Sequence, residues 1–160
     1  MPVEFNKLGV AFQYPENWVL DEEDALAGRK SVTVYSPRGA FWSISVHPIS
    51  ADPLRLAEAA LDAMKAEYAE LEAEPTQETI AGRETVGYDL NFYYLDLTNT
   101  ARVRCLRTDR ATYAVFCQGE DRDFDELEAV FRAMTTSFLQ NLKPLGWAPW
   151  MRPPEDSRDW

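Results

Sequence analysis

Between residues 83 and 119 the chain passes through period-two segments separated by connections of only a few residues, and that spacing decides the fold class. In the longest segment Val86, Tyr88, Leu90, Phe92 and Tyr94 occupy every second position, which places them on one apolar strand face. Further strands follow over about 100–108 and 112–119. A parallel crossover needs a dozen or more residues, so neighbours this close in sequence must pair antiparallel. The same reading gives strands at about 9–14, 17–21, 31–36, 40–48, 76–80 and 83–95. In the first of these, Val10, Phe12 and Tyr14 share a face, Pro15 stops the strand, and Trp18 pins the corner where extended chain resumes.

Two amphipathic helices complete the pattern. Over about 53–72, Ala57, Leu61, Met64, Tyr68 and Leu71 follow one helical stripe, with Asp52 as N-cap and Pro53 as the first helical residue. Over about 123–138, Phe124, Leu127, Phe131, Met134 and Phe138 repeat the spacing, and Asp123 with Glu126 resembles a capping box. Each stripe needs an apolar partner, and only the sheet is large enough. The expected fold is α+β: an α/β/α sandwich with a mostly antiparallel twisted sheet of about six to seven strands and two main helices. Residues 1–142 form one domain on this reading. Residues 143–160, with four prolines and no usable period, form an irregular tail.

Composition removes several function classes. With 27 acidic against 16 basic residues the formal charge is −11, which repels nucleic acid and anionic headgroups. No stretch approaches the length of an apolar membrane span, and Met1–Lys7 lacks the charge and apolar run of a signal peptide, so a cytoplasmic protein is expected. Cys105 and Cys117 fall on consecutive strands. If Val103 and Cys105 share a face with Val115 and Cys117, their hairpin needs a three-residue loop. The cysteines then lie diagonal or farther apart, too distant for a good disulfide, and two buried thiols are expected.

Catalytic patterns are weak. His47 is the only histidine, on the Ser43 and Ser45 side of its strand, with no orienting carboxylate in view and no Gly-x-Ser-x-Gly elbow. Asp21–Asp24 lacks the alternating ligands of a calcium loop and reads as a solvated loop. Glycines stand alone, so no phosphate loop forms. No enzyme activity, metal or cofactor is expected. The tail residues Trp147, Trp150, Met151 and Trp160 are the candidate partner-binding group, because Trp, Met and Arg are enriched in interface cores.

Several landmarks together resemble the Mog/PsbP-like superfamily in its bacterial branch. They are the Gly-Val-x-Phe-x-Tyr-Pro-x-x-Trp corner at Gly9–Trp18, the Val34-Tyr-Ser-Pro37 turn leading into Trp42-Ser-Ile-Ser-Val46, and the closing helix ending in Phe131–Phe138. The resemblance covers about residues 8–140. It implies an α/β/α sandwich around an antiparallel sheet, and members that bind other proteins without a shared active site, among them a photosystem II subunit and a factor that binds the small GTPase Ran. The implied function is a non-enzymatic, protein-binding domain of adaptor or chaperone-like kind. The alternative is a small-molecule-binding or hydrolytic domain with a pocket between sheet and helices, lined by Tyr88, Phe92 or Tyr94 near His47. Uncovered sheet edges or faces would also permit self-association into a homo-oligomer.

Overall fold

The computed structural model describes residues 1–142. The candidate residues Trp147, Trp150, Met151 and Trp160 lie outside them. Along the chain come β1 (Val3–Lys7), β2 (Val10–Tyr14), β3 (Val19–Asp21), α1 (Glu23–Leu26), β4 (Ser31–Tyr35), β5 (Phe41–His47) and α2 (Pro53–Glu67). These are followed by β6 (Leu71–Ile80), β7 (Arg83–Tyr94), β8 (Leu97–Arg107), β9 (Thr112–Glu120) and α3 (Asp121–Gln140). Seven strands form one antiparallel sheet in the order β3-β4-β5-β9-β8-β7-β6, and β1 and β2 form a separate ribbon. Ala57, Leu61 and Met64 of α2 pack on Leu90, Phe92, Ala101, Val103 and Cys105. Phe124, Phe131, Met134 and Phe138 of α3 pack on the opposite face, with Trp42, Ile44, Val115 and Cys117. The α/β/α sandwich follows from these two stripes.

Several local expectations are corrected. The Gly9–Trp18 run does not open the main sheet. Its strand β2 pairs with β1, an element with a single buried side chain, Phe5, and hence almost no period to read. The acidic run after Asp21 is not a plain loop but the one-turn helix α1, with the Asp21 carboxylate accepting from the Glu23 N–H at 2.9 Å. Helix α2 stops at Glu67. Tyr68 is already extended and packs at a tilt against Phe92, with ring centroids 4.3 Å apart, and Leu71 begins β6. Both residues fit a helical stripe by spacing, yet they bury the same apolar surface as sheet neighbours. Strand β6 is ten residues long and tolerates Pro75 because it is the sheet's edge.

Helix α3 starts at Asp121, so Asp123 sits inside its first turn, buried and 3.3 Å from Arg38, rather than capping it. Trp18 pins the corner as expected, edge-on to Phe131 at 5.8 Å. The β8–β9 connection spans residues 108–111, four rather than three, and pairs Cys105 with Ala114. That parity puts Cys105 under α2 and Cys117 under α3, on opposite faces of the sheet. Both are free and buried, and desolvation raises each thiol to about 12.

Three hairpins turn on two residues with positive φ, the geometry that matches the right-handed twist of strands and favours Asn-Gly. Leu8-Gly9 and Ala81-Gly82 have glycine at the second position. The third, Leu95-Asp96 between β7 and β8, has none, with φ of 52° and 62°. Replacing the pair by Asn-Gly is expected to raise stability by about 1 kcal/mol, read as a higher urea midpoint at unchanged slope.

Candidate binding surface

The sheet carries three polar or exposed features besides its core. The first is on β5. Ser45 Oγ lies 2.8 Å from His47 Nε2, the same-face pairing its strand spacing implies. Desolvation holds the imidazole below its usual 6.5, so it is neutral at pH 7. Among the described residues no carboxylate hydrogen-bonds the ring. The pair lies on the part of the α2-side face next to Phe41 and Phe116, whose rings stack at 5.9 Å. Tyr88, Phe92 and His47 do not converge: Phe92 is buried beneath α2, and His47 stands three strands away from β7.

The second feature is a charged layer under α3. Arg104, 7% exposed, donates through Nε to Glu78 at 2.8 Å and through Nη2 to Asp89 at 2.7 Å. Its Nη1 donates to the carbonyl of Val103 at 3.1 Å. Arg132 of α3 reaches the other Glu78 oxygen at 2.7 Å. Arg102 lies over the Phe124 ring and donates to Glu128. Alternation with Val103 and Cys105 makes these arginines look solvent-facing in the sequence, but α3 covers that face and each charge has its counter-charge. The layer is a clamp between β6, β7, β8 and α3.

Burial pushes the Glu78 carboxyl up, but hydrogen bonds and charge from Arg104 and Arg132 outweigh it and hold the group below its usual 4.5. A carboxyl with a depressed folded pKa stabilises the protein above its unfolded pKa, and that contribution is lost as pH falls through the folded value. Glu78→Gln is therefore expected to cost stability at neutral pH, with the gap to wild type closing below pH 4.5. Urea midpoints across the acid range measure it.

The third feature is the apex of the β7–β8 hairpin. Tyr93, Tyr94, Leu95 and Leu97 are 57%, 53%, 76% and 46% exposed, so four of five consecutive residues are large, apolar and in solvent. Tyr94 belongs by sequence to the Leu90 and Phe92 row, but β7 runs on past the cover of α2. Strand alternation divides the apex between the two sheet faces. Tyr94 and Leu97 pair on the α2 side, where Tyr94 meets Tyr68 edge-on at 5.8 Å. Tyr93 faces the other side and lines a trough of about 590 Å³ with Leu71, Phe92, Glu70, Glu72 and Asn99. Desolvation, then the charge of Glu67, raises the Tyr68 phenol. Sequence reading missed this surface; the available signal was Leu95 and a glycine-free Leu95-Asp96 pair where the turn favours Asn-Gly.

Among the described residues no helix is long and apolar enough to cross a membrane, and no cluster of His, Cys, Asp and Glu is arranged to hold a metal. No protein-family model matches the sequence, and no curated protein matches it. Solved structures do. Cyanobacterial PsbP from Synechocystis superposes with a TM-score of 0.54 at 17% identity, over 86% of this chain and 89% of that one. The protein Mog1 superposes at 0.53 and 9% identity, over 88% and 94%. A Pseudomonas aeruginosa protein of unknown function gives 0.53 at 14%, over 96% and 99%. Identities this low speak to architecture alone, and with PsbP and Mog1 both matched along most of their length, the chain has the Mog/PsbP-like fold.

Proposed function

We propose that this is a non-enzymatic, cytoplasmic protein-binding domain of adaptor or chaperone-like type, and that it engages its partner through the β7–β8 apex. The observation that carries the reading is the exposure of Tyr93, Tyr94, Leu95 and Leu97 around a turn whose backbone favours different residues. Large exposed apolar groups in a cluster mark interaction surfaces, and Tyr is a favoured interface anchor. A non-glycine residue held at positive φ is a local cost, kept where function repays it. The protein-binding character of the superfamily that the sequence resembles points the same way.

The test compares capture from the native host by three forms: wild type, Tyr93→Ser with Leu95→Asn, and a chain ending at Leu142. Loss of the wild-type partner by the apex variant, at undiminished urea stability, is the expected result. Retention of that partner by a folded apex variant overturns the proposal. The truncated chain addresses Trp147, Trp150, Met151 and Trp160, which we propose as a second contact. Partner loss at unchanged stability supports that role, and lowered stability makes the tail structural.

A second reading, a small-molecule-binding or hydrolytic domain, rests on the Ser45–His47 hydrogen bond. A fluorophosphonate that labelled Ser45 would establish it. We expect no labelling, since among the described residues no carboxylate orients the imidazole as a base.

A further inference from the structure

We propose that the apex and its trough receive a basic, apolar segment of the partner protein, with apolar side chains against Tyr93 and Leu95 and a Lys or Arg entering the trough toward Glu70 and Glu72. This rests on the reading of the apex as a binding surface and names the chemistry it selects. Glu70 and Glu72 are exposed, flank Leu71 at the start of edge strand β6, and share the trough with the ring of Tyr93. Its third carboxylate, Asp121, already accepts from Thr100 at 2.7 Å, and no basic residue lines the trough. Asp96 adds a carboxylate at the turn, and Glu67 adds one where α2 ends beside Tyr68.

An apolar apex ringed by negative charge excludes two other occupants. An acidic segment would set like charges together, and an anionic membrane would be repelled by the rim and by the overall charge of −11. A guanidinium gains most, since it finds carboxylates and the face of Tyr93 in one trough. The edge strand beside it offers unpaired backbone groups on which an extended segment can align.

The probe is a synthetic peptide, acetyl-Lys-Leu-Arg-Trp-Leu-Lys-amide, titrated into the ¹⁵N-labelled full chain alongside a counterpart with Gln at the three basic positions. Expected are amide shifts confined to Glu70–Glu72 and Tyr93–Asn99, and about ten-fold tighter binding of the basic peptide. That preference shrinks as salt rises from about 0.05 M to about 0.5 M. Glu70→Gln with Glu72→Gln removes the preference and leaves the Gln peptide's affinity unchanged. Equal affinity for both peptides at the apex overturns the basic-segment inference while the apex reading stands. Shifts elsewhere, or none with either peptide, overturn both. Apex shifts with phosphatidylcholine or phosphatidylglycerol vesicles but with neither peptide would replace the protein partner by a membrane.

Discussion

Gly87→Ala is expected to destabilise the protein by more than about 3 kcal/mol, a cost far beyond that of one added methyl at an ordinary strand position. A Cβ built on Gly87 falls 1.7 Å from the Val103 carbonyl oxygen and 2.7 Å from its carbon. Those are backbone atoms of the paired strand, so no rotamer change relieves the clash and β7 must move away from β8. Gly87 stands opposite Arg104 in register, and Arg104 bridges Glu78 on β6 and Asp89 on β7. Moving β7 therefore also pulls Asp89 away from the buried Arg104 guanidinium, which leaves that charge short of a partner. Urea denaturation of the variant measures the loss. A cost under about 1 kcal/mol would mean that the close approach of β7 and β8 is wrong.

Trp42→Ala is expected to cost about 3–5 kcal/mol, which for a chain of this length lowers the melting temperature by roughly 10 °C. Trp42 is fully buried and ties three elements together. It is a β5 residue, its ring lies 4.7 Å from that of Phe12 on β2, and its Nε1 donates to Thr135 Oγ1 of α3 at 3.0 Å. Without the indole, Phe12 of the β1–β2 ribbon loses its ring partner on the sheet and a cavity opens under α3. Trp42→Phe keeps a ring but leaves the Thr135 hydroxyl without its donor, at about 1–3 kcal/mol. Calorimetry on both variants separates packing from hydrogen bonding.

The architecture was legible because its signals are redundant. Short connections force antiparallel pairing, period two marks each main strand, and the α2 and α3 stripes each demand a face. What escaped is what depends on counting or on cover. One extra residue in the 108–111 loop moved Cys117 to the other face of the sheet from Cys105. Arg102 and Arg104 alternate with apolar neighbours as solvent-facing residues do, and only α3 above them makes that face interior. Tyr94 continues the row of Leu90 and Phe92, and nothing in the row says where α2 ends. Tyr94 was therefore read with the apolar row and its neighbours passed unmarked, although the Leu95-Asp96 turn departs from the chemistry that its backbone favours. The sequence drew attention to the tail, which lies outside the described residues, and left the apex unmarked. The tail tryptophans stand out by composition, whereas the apex tyrosines are hidden inside a regular strand pattern.

On the proposal above, the β7–β8 apex touches another protein. Photo-crosslinking tests it most directly, with benzoylphenylalanine placed at Leu95 in the native host and, as a control, at Gln140, an exposed residue at the far end of α3. Expected is a discrete protein adduct from position 95 that position 140 does not give, diminished when Glu70 and Glu72 are neutralised. No adduct at position 95, or the same adducts from both positions, would contradict it.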